Sequence, residues 1–278
     1  MRLVRFAERG GACRPGLIDG DRVRALKGQS LVDYMDGNAV QPEHAESYSL
    51  HEIDLCAPLL PRKNIFCVGR NYLEHAKEGA RVSGKELKLP AVPTFFTKAP
   101  TAIAAPGARL HFSGQLSKEY DWEAELAVVI GRRGRDVEEA SALQYVFGYT
   151  CLNDITARDL QRAHLQWFKG KSLDQSCPLG PSIVTPDEIG DPQTLPIELR
   201  LNGERKQHAN TSSMIFSVAR IIAELSKGLT LEPGDIIATG TPEGVGFART
   251  PPEFFKDGDE VEVEIEGIGT LRNTIQIT

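Results

Sequence analysis

Glu119-Tyr120-Asp121-Trp122-Glu123-Ala124-Glu125-Leu126-Ala127-Val128-Val129-Ile130-Gly131 changes character midway: acids alternate with other residues up to Glu125, then the run turns apolar. Glu123 to Gly131 reads as a strand that starts polar and ends buried. Side chains two apart on a strand share a face, so Glu119, Asp121, Glu123 and Glu125 would line one side. Adjacent like charges on a strand face are unfavourable. A divalent cation would relieve them, and so would solvation of an acidic edge strand. The pattern leaves both readings open.

Further strands surround this one. Ile65-Phe66-Cys67-Val68 and Asp235-Ile236-Ile237-Ala238 read as buried strands. Glu260-Val261-Glu262-Val263-Glu264-Ile265 alternates strictly, and a turn at Gly267 and Gly269 leads into Leu271 to Ile277. Three helices are expected. One is capped by Asp136, one runs from near Asp154 to about Gln166, and one starts at Ser212 or Ser213 and ends before Gly228. Strands outnumber helices and do not alternate with them, which predicts an α+β fold rather than a doubly wound one.

The first 58 residues read as a small N-terminal α/β domain, with residues 59–278 as the main domain. An Asp19-Gly20 turn predicts a hairpin, and Ser30 a cap for a short helix. Glu43 to Glu52 is mostly polar. Arg81 to Pro93, polar and flanked by proline, reads as a long loop of the lid type.

With 278 residues, 41% hydrophobic and 25% charged, the composition is that of a soluble globular protein. A net charge of −6 argues against a nucleic-acid partner. No apolar run is long enough to span a membrane. The five cysteines lack C-x-x-C spacing and read as reduced thiols of a cytoplasmic protein.

Three more constellations carry chemistry. On a helix beginning at Asp154, Arg158 and Gln161 would share its face, giving a metal ligand and two donors for a substrate carboxylate, or simply a capped helix with an ion pair. His75 and Glu78, three apart, could form an imidazole oriented by a carboxylate. Ala238 to Gly246 could offer backbone N–H groups to an anion, or form a tight turn. Lys169-Gly170-Lys171-Ser172 lacks the first glycine of a phosphate loop. Without paired histidines, a hard, oxygen-ligated ion suits the acids better than zinc.

Taken in order, Val68-Gly69-Arg70-Asn71-Tyr72, His75 with Glu78, Asp121 to Leu126, Asn153 to Asp159, Lys171 to Asp174 and Gly240 to Gly246 resemble the fumarylacetoacetate hydrolase family. The N-terminal segment resembles the small extra domain of its longer bacterial members. The resemblance implies a mixed β-sandwich roll and a homodimer. It makes Glu123, Glu125 and Asp154 ligands of Mg²⁺ or Mn²⁺, and His75, Glu78 and Lys171 catalytic. Arg70, Tyr72, Arg158, Gln161 and Thr241 become substrate contacts. The activity implied is hydrolytic C–C cleavage of a 2,4-diketo acid, that is an acylpyruvate, a fumarylacetoacetate-like acid or a 2,4-diketo-3-deoxy sugar acid. Alternatives are decarboxylation of an oxaloacetate-type 2-keto acid, a ureidoglycolate lyase-like reaction, and a non-catalytic metal-dependent binder.

Overall fold

A computed structural model describes residues 1–8, 10–27, 30–35, 42–84 and 86–278. The expected α+β architecture is present. The strand Ala124–Ile130 is buried along its whole length and sits inside a twelve-stranded mixed sheet. It pairs antiparallel with Val146–Asn153 on one side and Ile236–Ala238 on the other, and Ile236–Ala238 pairs parallel with Ile65–Gly69. Alternation along Ala124–Ile130 divides the core. Leu126, Val128 and Ile130 join a large cluster with Ile197, Leu199, Val261 and Val263 of a second, five-stranded sheet. Ala127 and Val129 face a separate cluster with Cys67, Leu152 and Leu179.

The N-terminal strands extend the same large sheet. Arg2–Glu8 pairs with Cys177–Val184, and the Asp19-Gly20 hairpin forms between Arg14–Asp19 and Arg22–Leu26. Gly20 has φ +63°, which the turn requires. The Ser30 hydroxyl accepts from Val32 N at 3.1 Å at the start of the helix Leu31–Met35. Among the described residues no helix is long and apolar enough to cross a membrane.

Several expectations need correction. No helix starts at Asp154. Thr156–Ala157 first pairs with Tyr120–Asp121, and the helix is only Arg158–Ala163, because tertiary pairing outcompetes the local helix signal. The third helix is Val218–Ser226. Its cap is Ser217, whose hydroxyl accepts from Arg220 N, while Thr211–Ser213 forms a separate 3₁₀ turn. Gly228 does take a positive φ just beyond that helix. Asp136 caps nothing of its own: its carboxylate accepts from Gly228 N, and Glu139–Tyr145 is 3₁₀. The polar stretch after residue 42 forms the strand Pro42–Ser49. The helix Leu73–Ser83 takes up the first residues of the supposed lid loop and ends at Gly84 in the left-handed region; residue 85 of that loop lies outside the described residues. Finally, not all cysteines are free: Cys13 and Cys56 are disulfide-bonded, brought together although 43 residues apart. Cys67, Cys151 and Cys177 are buried thiols, as expected.

Candidate active site

The acidic stretch is not one continuous strand face. Pairing breaks at Trp122 and Glu123, and the four acids part company. Glu119 turns outward to Arg162. Asp121 is fully buried and accepts from Arg158 Nε at 2.8 Å, Gly246 N at 2.7 Å and Phe247 N at 3.1 Å. Glu123 and Glu125 remain on the face that continues into Ala127 and Val129. Asp154 follows the neighbouring strand, and its N–H donates to Glu123 O at 2.8 Å. That register carries the third carboxylate to the other two.

Glu123, Glu125 and Asp154 are all buried, and one oxygen from each lies within 4.8 Å of the others. Lys171 Nζ bridges Glu123 Oε2 at 2.7 Å and Asp154 Oδ2 at 2.6 Å. Lys98, wholly buried, donates to Asp154 Oδ1 at 2.6 Å and Ile155 O at 3.1 Å. Arg158 Nη2 lies 2.7 Å from Glu123 Oε1, an ion pair turned off the hydrogen-bonding direction. Burial alone would raise Glu123, but Lys171, Arg158 and His75 override it and hold the carboxyl down to about 2. The same carboxylates hold the Lys171 ammonium above its ordinary value against the effect of burial.

Glu125 differs. Its one hydrogen bond comes from Gly240 N at 2.7 Å, and no cationic side chain lies within 4.0 Å of it among the described residues. Burial, then Asp154 and Glu123, push its carboxyl well above the usual range. The Tyr72 hydroxyl, buried nearby, has no hydrogen-bond partner among the described residues. A buried acid without a counter-cation, beside two more acids and an orphaned hydroxyl, suits a hard divalent cation with oxygen ligands.

Above this floor lies the helix Leu73–Ser83. It follows Ile65–Gly69 out of the sheet and carries His75 and Glu78, both half-buried. His75 Nδ1 is 3.5 Å from Glu78 Oε2, and Glu78 Oε1 accepts from Gly244 N at 3.0 Å. His75 is near enough for its charge to act on Glu123. One turn on, Arg81 Nη2 donates to Ala248 O at 2.8 Å. The segment Gly240–Ala248 thus touches the floor through Gly240 and Gly246 and the helix through Gly244 and Ala248.

The other expected contacts are placed unevenly. Gln161 is linked to the site through Arg158, whose Nη1 donates to its Oε1 at 3.2 Å. Thr241 is buried, its hydroxyl accepting from Gln207 Nε2 at 2.9 Å. Arg70 has φ +59° and lays its guanidinium over the Trp167 ring, 5.7 Å from the centroid, rather than into the floor. Two residues escaped sequence reading. Lys98 ends the strand Thr94–Lys98 with no local sign of burial. Gln207 accepts from Ala124 N at 2.9 Å, between Glu123 and Glu125, and also donates to Pro242 O at 2.8 Å.

Residues 64–276 match the family model "Fumarylacetoacetate (FAA) hydrolase C-terminal". The chain belongs to the fumarylacetoacetate hydrolase family. Residues 1–58 match "Rv2993c-like, N-terminal", so this member carries the N-terminal extension. Among its family relatives, oxaloacetate tautomerase YisK of Bacillus subtilis (strain 168) is 49% identical over 229 residues, 82% of this chain and 75% of that one. The solved fumarylacetoacetate hydrolase of Exiguobacterium antarcticum is 40% identical, with a TM-score of 0.88 over the full length of both chains. A 2-hydroxyhepta-2,4-diene-1,7-dioate isomerase from Mycobacterium marinum is 36% identical, with a TM-score of 0.81 over 100% of this chain and 99% of that one. By their names, members of the fumarylacetoacetate hydrolase family thus include a tautomerase, a hydrolase and an isomerase.

Proposed function

We propose that this enzyme interconverts the enol and keto forms of an oxaloacetate-type 2-oxo dicarboxylate. The observation that carries the reading is the His75–Glu78 pair set beside the buried triad Glu123, Glu125 and Asp154. The 49% identical tautomerase supports the choice of reaction. Glu123, Glu125 and Asp154 would hold Mg²⁺ or Mn²⁺, which supplies Lewis-acid polarisation of the 2-oxo group.

Glu78, fixed by Gly244 N, holds His75 as a base. His75 takes a proton from C3, the C–H electron pair becomes the C2–C3 double bond, and the carbonyl pair moves to oxygen. The proton then passes from His75 to that oxygen. Lys171, kept cationic by Glu123 and Asp154, stabilises the developing charge. Arg158 and Gln161 offer donors to a carboxylate, and Tyr72 and Thr241 complete the wall. Arg70 would join only by leaving Trp167.

A second reading is hydrolytic C–C cleavage of a 2,4-diketo acid, in which His75 takes its proton from water. The full-length similarity to a solved fumarylacetoacetate hydrolase favours keeping it. The enolate it would expel as a leaving group could equally follow loss of CO₂. We also propose that residues 1–58 form a separate domain beside a catalytic unit 59–278 and that the protein is a homodimer, which light scattering would check. To test the function, Mg²⁺-loaded protein is given enol-oxaloacetate, keto-oxaloacetate and a panel of acylpyruvates. Enol decay without CO₂ or pyruvate is expected. Release of pyruvate and a second acid from an acylpyruvate, with no effect on enol decay, would replace tautomerisation by hydrolysis.

A further inference from the structure

At the opposite end of Ala124–Ile130 from the carboxylates, the chain continues into Gly131-Arg132-Arg133. These residues line a cavity of about 640 Å³. The strand Ile236–Ala238 does the same in reverse: Gly240, beyond its far end, bonds Glu125, while Asp235, before its near end, lines the cavity. Six residue steps separate Glu125 from Gly131, or about 20 Å along a strand. The cavity is therefore distinct from the site above.

Its charges are unbalanced. Arg62, Arg132 and Arg133 all line it, and among the described residues none of the three makes an ion pair or hydrogen bond. Arg132 lies over the Tyr145 ring instead. The two lining acids are already engaged by a fourth cation. Lys63 Nζ is 2.9 Å from Glu232 Oε2 and 2.9 Å from Asp235 Oδ2. Asp235 also accepts from Glu232 N at 2.8 Å and is 4% exposed. Arg133 and Arg62 act on Glu232 only at longer range. Among the described residues, three arginines thus line the cavity beside two acids that Lys63 already engages, on a chain whose net charge is −6.

The cavity also has an apolar wall. Val32 and Met35 of the helix Leu31–Met35, with Leu60, close it on the N-terminal side. That helix is pressed onto the turn at Gly234, where φ is +87° and a Cβ would stand 2.9 Å from Val32. The volume falls within the range of small-molecule sites, which combine an apolar lining with a few convergent polar groups. Guanidinium groups bind carboxylate and phosphate oxygens in a bidentate manner.

We infer that this cavity binds a small organic oxyanion carrying a phosphate or paired carboxylates, held by Arg62, Arg132 and Arg133 with its carbon skeleton against Val32, Met35 and Leu60. Calorimetric titration of the Mg²⁺-loaded full chain with AMP and, separately, with glutarate at fixed ionic strength tests this. Saturable binding of at least one is expected, weakened about tenfold or more in Arg132→Ala/Arg133→Ala, as loss of charge-assisted hydrogen bonds would do. Mn²⁺ affinity at the carboxylate triad should be unchanged in that variant, which also shows that it folds. Binding of AMP alone would assign a phosphate ligand, and of glutarate alone a dicarboxylate. Arg62→Ala, a milder change, should weaken the same ligand. No binding of either anion, or equal binding by wild type and both variants, would overturn the assignment.

Discussion

The carboxylate floor and the helix above it meet at one site but are held in different ways. Glu123, Glu125 and Asp154 are buried, spring from adjacent strands of the central sheet, and are braced by Lys98, Lys171, Arg158 and backbone N–H groups. His75 and Glu78 are half-buried on a helix, and Glu78 and Arg81 tie it to the Gly240–Ala248 segment through two hydrogen bonds. A floor of this kind costs little reorganisation when charge develops above it. The helix is positioned but lightly fastened, as suits a group that must admit substrate before it acts. Binding of the cation and movement of the proton should therefore be separable by mutation.

The largest expected effect lies in the floor. Glu125→Ala or Asp154→Ala should weaken Mn²⁺ binding by more than the roughly 10–100-fold typical of residues that merely support a ligand. Turnover should fall with it; calorimetry and steady-state rates would show both. Unchanged Mn²⁺ affinity would remove these residues from the ligand set. Next comes His75→Ala, for which kcat should drop by about 10²–10⁴-fold while Mn²⁺ affinity stays within error. A parallel loss of metal would merge the two regions into one.

Gln207 sharpens the comparison at the floor's edge. Gln207→Leu keeps the volume but frees Ala124 N and the Thr241 hydroxyl from their partner. It should destabilise the fold by about 1–3 kcal/mol, the cost of buried groups left unsatisfied, and loosen metal binding before it touches proton transfer. Denaturant melts and Mn²⁺ titration would separate the two. The smallest effect belongs to Arg81→Ala. One hydrogen bond of about 1 kcal/mol implies a loss of a few-fold in kcat/KM with no change in metal affinity.

Much of this was legible in the chain because it depends on short-range pattern. Strict alternation announces Glu260–Ile265, and an Asp-Gly pair announces the N-terminal hairpin. The acidic stretch was readable as a candidate cation site, although spacing alone left a solvated edge equally open, and only the resemblance singled out Glu123, Glu125 and Asp154, which the structure brings together. Other features were illegible for a physical reason. Asp154 carries every local mark of a helix start, yet antiparallel pairing of Thr156–Ala157 with Tyr120–Asp121 takes the backbone first. Asp121 looked like a fourth member of an acidic face, but the break at Trp122 turns it beneath Arg158. Lys98 and Gln207 lie far in sequence from the groups they brace, and so does Cys13 from Cys56. Such pairings belong to the sheet topology and leave no trace in neighbouring residues.

In the proposed reaction His75 carries the proton. Deuterium incorporation at C3 of oxaloacetate in D₂O can be followed by NMR with Mg²⁺-loaded wild type and His75→Ala. We predict exchange above the spontaneous rate with wild type, its loss on addition of EDTA and its return with excess Mg²⁺, and near-background exchange in His75→Ala with metal still bound. Equal exchange in both proteins, or wild-type exchange indifferent to EDTA, would contradict the account.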